Sequence, residues 1–103
     1  MSLFSQLFGG GLSVNLKSVI EAGAFLVDVR TPSEFADGHV KGSVNIPLDN
    51  LTNEIVKFRD KKNIIVFCRS GNRSGMAKTV LEQQGFTNVI NGGTWQNVAL
   101  FVH

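Results

Sequence analysis

Eight consecutive residues carry most of the reactive chemistry of this chain: Phe67-Cys68-Arg69-Ser70-Gly71-Asn72-Arg73-Ser74. Cys68 is the only cysteine among 103 residues, so no internal disulfide is possible. Arg69 and Arg73 place positive charge close to it in sequence, and Gly71 removes a Cβ where a short connection is tightest. Positive charge and unpaired backbone N–H groups both favour thiolate over thiol, and the thiolate is the nucleophile. The competing reading makes Cys68 a small buried hydrophobe that ends a strand, as free cysteines often are. The arginines, the glycine and the place of Cys68 between a strand and a helix weigh against it.

The neighbouring elements must position this loop. Ile64-Ile65-Val66-Phe67 is the most apolar run in the chain and is expected to be the central strand. Cys68 then falls at the carboxyl edge of the sheet, where open α/β folds place their ligands. A helix is predicted over residues 72–84, with Met76, Val80 and Leu81 facing inward and Gly85 closing it. The loop between must curl, so its N–H groups converge near the helix N-terminus and form a nest for an anion.

Elsewhere, Asn15 is a plausible cap for a helix over 16–22, which Gly23 closes. Phe25-Leu26-Val27-Asp28-Val29 reads as a strand buried on both faces. Thr31-Pro32-Ser33-Glu34 forms a capping box, and the helix it starts stops at Gly38. Val44-Asn45-Ile46 is a brief strand cut off by Pro47. A helix is expected over 49–58, with Leu51, Ile55 and Phe58 at helical spacing. Asn88-Val89-Ile90 gives a further strand, and Asn91-Gly92-Gly93 turns into a last helix near Thr94. Short apolar strands alternating with helices mean α/β, a three-layer α/β/α arrangement with a central, mainly parallel sheet of about five short strands. Residues 1–11, with Phe4, Leu7 and Phe8, read as a flexible lead-in, and 12–103 as the single domain.

Composition narrows the partners. With 43% hydrophobic and 17% charged residues the chain is globular. A net charge of +2 with scattered Lys and Arg gives no nucleic-acid footprint, and no segment reaches membrane-spanning length. One cysteine and two distant histidines lack metal-ligand spacing, so neither metal nor cofactor is expected. The start of the chain has no basic segment followed by an apolar run, so a cytoplasmic location is expected, or a periplasmic one if a signal peptide has been removed.

C-R-S-G-N-R-S resembles the active-site loop of rhodanese domains, in which the cysteine opens a loop of six residues, here 68–73. D-V-R-T-P-S-E-F at 28–35 is similar to the D-x-R-x-x-x-E-[FY] segment of that family. G-H-V-K-G-S-V-N-I-P at 38–47 is similar to its G-H-I-x-G-A-x-N-I-P stretch, and Asn91-Gly92-Gly93 with Trp95 to its late Gly-Gly and Trp element. Four such segments in order are specific where any one is weak.

The resemblance implies a thiosulfate sulfurtransferase with a rhodanese-like fold. Cys68 would be the catalytic nucleophile, and Arg69, Ser70, Gly71, Asn72 and Arg73 would hold the substrate and a Cys68 persulfide. The implied donor is a small sulfur anion, thiosulfate or a persulfide. The implied acceptor is cyanide or a thiol, a thioredoxin-like protein among them. Two rivals keep the fold and change the function: a sulfur carrier, and a non-catalytic binding module. A third, a cysteine phosphatase or arsenate reductase, needs a loop one residue longer than the four residues that separate Cys68 from Arg73. Arg30 is expected to pair with Glu34 or Asp28 and fix the corner between strand and helix, Asp28 to accept loop backbone hydrogen bonds, His39 to be structural, and Trp95 to serve as a core or lid residue.

Overall fold

The computed structural model describes residues 15–103. The lead-in at 1–11, with Phe4, Leu7 and Phe8, lies outside the described residues. Four strands form one sheet: β1 (Phe25–Asp28), β2 (Val44–Asn45), β3 (Ile64–Cys68) and β4 (Val89–Thr94), in the order β2-β1-β3-β4. All three pairings are parallel. The expected α/β class with a parallel sheet is therefore what the chain adopts, with four strands among the described residues in place of about five.

The helices are α1 (Leu16–Glu21), α2 (Pro32–Asp37), α3 (Asn72–Gln83) and α4 (Trp95–Ala99). Local chemistry sets their ends. The Asn15 side chain accepts the Ser18 N–H, and the Thr31 hydroxyl accepts the Glu34 N–H while Glu34 reaches back to the Thr31 N–H.

Side chains alternate along the sheet, as strand geometry demands. Val27, Val29, Ile64, Val66 and Cys68 face one core, shared with Leu51, Phe58 and the Ala77 and Leu81 of α3. Leu26, Ile65 and Phe67 face the other, packed against Val98 and Trp95 of α4 and Leu16, Val19 and Ile20 of α1. β3 is buried at all five positions, which makes it the centre of the fold. No helix among the described residues is long and apolar enough to cross a membrane.

Three local expectations need correction. The helix predicted over 49–58 is two tight 3-10 segments, Leu48–Asn50 and Thr52–Phe58, closed by bonds such as Leu51 N–H to Leu48 C=O at 3.2 Å. Thr52, Ile55 and Val56 are β-branched and poor helix formers, and Glu54 leaves helical geometry at φ −111°. Leu51 and Phe58 nevertheless reach the core. Met76 does not face inward but is 54% exposed, because the buried stripe of α3 runs through Ser74, Ala77 and Leu81. Asn91-Gly92-Gly93 is not a turn after β4 but part of it. Val66 pairs with Asn91 and Phe67 with Gly93, so Gly92 is the extra residue of a bulge.

Candidate functional site

The loop after β3 closes around the Cys68 sulfur. Cys68 has no exposed surface, so the expectation of a core residue ending a strand describes its burial correctly. It does not describe the surroundings. The Gly71 N–H donates to Sγ at 3.0 Å and the Ser74 N–H at 3.4 Å, while the Ser74 hydroxyl lies 3.5 Å from Sγ. Gly71 can present its N–H because it stands at φ +98°, a left-handed conformation that a side chain would strain.

Burial is the largest single influence on the Cys68 thiol and pushes its pKa up. The Ser74 hydroxyl and the N–H groups of Ser74, Ser70 and Gly71 together outweigh it, and the net direction is down. Hydrogen bonds from neutral groups therefore favour the thiolate here. The two flanking arginines do not close on the sulfur as the sequence suggested. Arg73 forms a bidentate pair with Glu34 of α2, at 2.7 and 3.0 Å. That bond, with the Thr31 N–H, lowers the Glu34 pKa from 4.5 to about 2, and it raises that of Arg73. Arg69 is exposed and lines a polar cleft of about 260 Å³ with Arg30, Glu34, Asp37, Trp95 and Gln96. Ser70 and Asn72 lie at the rim, where the Ser70 hydroxyl accepts the Asn72 N–H at 3.4 Å.

Beside the loop, the end of β1 is sealed. Asp28 and Arg30 are buried and paired, with Nη2 to Oδ2 at 2.7 Å and Nε to Oδ1 at 2.9 Å. Asp28 also accepts the Arg30 backbone N–H, and Arg30 donates to the Gly38 carbonyl at 2.7 Å and lies over the Trp95 ring. This is the expected corner, with Trp95 serving as its lid. His39 stacks on Phe35, its Nδ1 lies 2.8 Å from the Phe35 carbonyl oxygen, and no bond joins it to Cys68. Among the described residues no group of three or more His, Cys, Asp or Glu forms a metal site.

Sequence reasoning left three residues of this neighbourhood without their roles. Ser74 was visible as a polar residue at the head of an otherwise apolar helical stripe. Glu34 is expected in its capping box and as a candidate partner of Arg30, but it holds Arg73 across 39 positions. Asn91, read as a turn residue, reaches back to the loop; no local pattern marks it.

Comparisons with known proteins point the same way. Residues 14–94 match the family model of the rhodanese-like domain. The thiosulfate sulfurtransferase PspE of Escherichia coli is 37% identical over 76 residues, 72% of this chain and 73% of that protein. A sulfurtransferase of Allochromatium vinosum is 35% identical over 66 residues, and the match spans only 62% of that protein. Among solved structures, one described as a rhodanese with anions from E. coli superimposes with a TM-score of 0.67 at 36% identity, covering 74% of this chain and 92% of that one.

Proposed function

The chain belongs to the rhodanese-like domain family, and on that premise we propose that it is a sulfurtransferase whose Cys68 carries sulfur as a persulfide. The observation that carries the reading is the convergence of the Gly71 and Ser74 N–H groups on one buried sulfur. A Cys68 thiolate attacks the outer sulfur of thiosulfate. The S–S bond of the donor breaks, its electron pair leaves with sulfite, and Cys68 becomes a persulfide. Cyanide or an acceptor thiolate then attacks the terminal sulfur and returns the thiolate. The two halves balance without an outside oxidant, and the hydrogen bonds that lower the Cys68 pKa favour the attacking thiolate.

Loop N–H groups hold the negative charge of the persulfide as they hold that of the thiolate. Arg69 is the exposed cation nearest the thiol in sequence and would draw a small sulfur anion toward the loop. Arg73, paired with Glu34, braces the loop. The E. coli structure solved with anions is consistent with an anion-receiving loop. The names of the relatives support a thiosulfate donor for this chain.

Intact mass after brief incubation with thiosulfate tests the reading. The chain should gain one sulfur, about 32 Da, removable by cyanide, as a persulfide on this thiol requires. Cys68→Ser should gain none. A wild type that takes no sulfur from thiosulfate or a persulfide, yet turns over an aryl phosphate through Cys68, would sink it in favour of the phosphatase.

A further inference from the structure

Ser74 offers one hydroxyl proton to three neighbours. Its Oγ lies 2.7 Å from Asn91 Oδ1, 3.1 Å from the Gly71 carbonyl oxygen and 3.5 Å from Cys68 Sγ. The orientation of the Asn91 amide is fixed by groups with only one possible role. The Gly93 N–H must donate, and it meets Oδ1 at 2.9 Å; the Gly71 carbonyl must accept, and it meets Nδ2 at 3.3 Å. Asn91 Oδ1 is therefore an acceptor, and at 2.7 Å it holds the Ser74 proton. Ser74 then turns a lone pair toward the sulfur, which suits a thiol donating its S–H and opposes a thiolate.

We infer that Asn91 is a positioning residue that competes with the Cys68 sulfur for the Ser74 proton, and so sets how readily the thiol ionises. When Cys68 loses its proton, the Ser74 hydroxyl must leave Asn91 and turn to the sulfur. Ionisation thus breaks one hydrogen bond as it forms another. The bulge at Gly92 allows this, because it lets the Gly93 N–H and the Ser74 hydroxyl meet on the same Asn91 amide oxygen. The charged groups around the thiol stay the same in the alanine variants; Asn91→Asp adds a carboxylate, whose direct effect on the thiol is read in the Ser74→Ala background. Arg69 follows Cys68 in the chain, Arg73 on α3 is paired with Glu34 on α2, and Asp28 on β1 is paired with Arg30. Asp49 of the first 3-10 segment lines a cleft with Arg73, while β4 and α4 carry no titratable residue.

The inference rests on Cys68 being the reactive sulfur. Its test uses iodoacetamide and no sulfur donor, so it can fail while persulfide formation succeeds, and the reverse. Alkylation of the full chain is followed against pH for wild type, Asn91→Ala, Ser74→Ala and the double variant, with circular dichroism confirming the fold. Asn91→Ala should move the midpoint to lower pH by about half a unit or more, as expected when a hydrogen bond to a charged group loses its competitor. The shift should vanish in the Ser74→Ala background, because Asn91 acts through that hydroxyl. Asn91→Asp, a stronger acceptor that keeps the Gly93 bond, should move the midpoint up, and more so with Ser74 present than without it. It also serves if Asn91→Ala fails to fold. A midpoint that stays put or rises in Asn91→Ala, or a shift that persists without Ser74, overturns the inference.

Discussion

Two strand ends lie side by side at the carboxyl edge of the sheet, where Asp28 of β1 pairs in register with Phe67 of β3. One ends in a carboxylate paired to a guanidinium, the other in a loop whose hydrogen-bonding groups at the sulfur are the neutral Gly71 and Ser74 N–H and the Ser74 hydroxyl. The charged end is inert. Asp28 and Arg30 pair with each other, Nη2 of Arg30 also donates to the Gly38 carbonyl, and the guanidinium lies over the Trp95 ring. The other end is the one proposed to react, because neutral N–H groups converge there on an atom able to change charge. Charge paired in a sealed corner holds the fold; the polarity around the thiol comes from the Ser74 hydroxyl and from peptide N–H groups, that of Gly71 held in an unusual conformation.

The largest effect should come from breaking the sealed corner. Asp28→Ala strands a buried guanidinium and should cost about 3–5 kcal/mol in urea unfolding, a large share of the stability of a small domain. At temperatures where the variant is still folded, its alkylation midpoint should stay near that of wild type. A midpoint that moves while stability barely changes would show that the two ends are not separate devices.

Gly71→Ala strikes the reactive end. A Cβ there meets Gly93 Cα at 3.7 Å, an ordinary contact, so the cost is conformational strain at φ +98° of about 1–2 kcal/mol. Relaxing that strain turns the Gly71 N–H away from Sγ. Loss of one donor to a charged atom should slow thiosulfate:cyanide transfer by about tenfold or more. Stability and activity measured on one sample separate the two effects, and an unchanged rate would remove Gly71 from the machinery.

The smallest effect concerns the pair that joins the two ends. Glu34 and Arg73 are 26% and 32% exposed, so solvent screens them and Glu34→Gln should cost only about 0–1 kcal/mol. The pH dependence has a definite sign. The Glu34 pKa falls from 4.5 to about 2 on folding, so its contribution is whole above 4.5 and is lost as pH drops toward 2. The gap in unfolding midpoint between wild type and Glu34→Gln should be constant at neutral pH and narrow across that acid window. A gap that widens on acidification would contradict the assigned partner.

What could be read in the sequence was local. The caps at Asn15 and Thr31, the stop at Gly38 and the apolar run at 64–67 each depend on neighbours within a few positions, and each stands where expected. The loop after β3 was legible because its residues are contiguous. What escaped was set by distant packing. Glu34 finds Arg73 only after α2 and α3 have docked, and Asn91 finds Gly71 only once β4 has paired with β3. The bulge belongs to the same class. Gly92 faces Val98 and Ile65 so closely that a Cβ would come within 2.7 and 2.9 Å of them, which a reading of Asn91-Gly92-Gly93 as a loop could not foresee.

The complete burial of Cys68 also bears on which molecules can react with it. An atom with no exposed surface admits slender reagents and turns away bulky ones, so the resting site acts as a sieve on incoming donors. In the persulfide proposed above, a second sulfur would stand about 2 Å from the first, and directed to the mouth of the loop it would bring the reactive atom nearer the surface. On that proposal, an acceptor as wide as another folded protein would meet sulfur that a small anion had delivered.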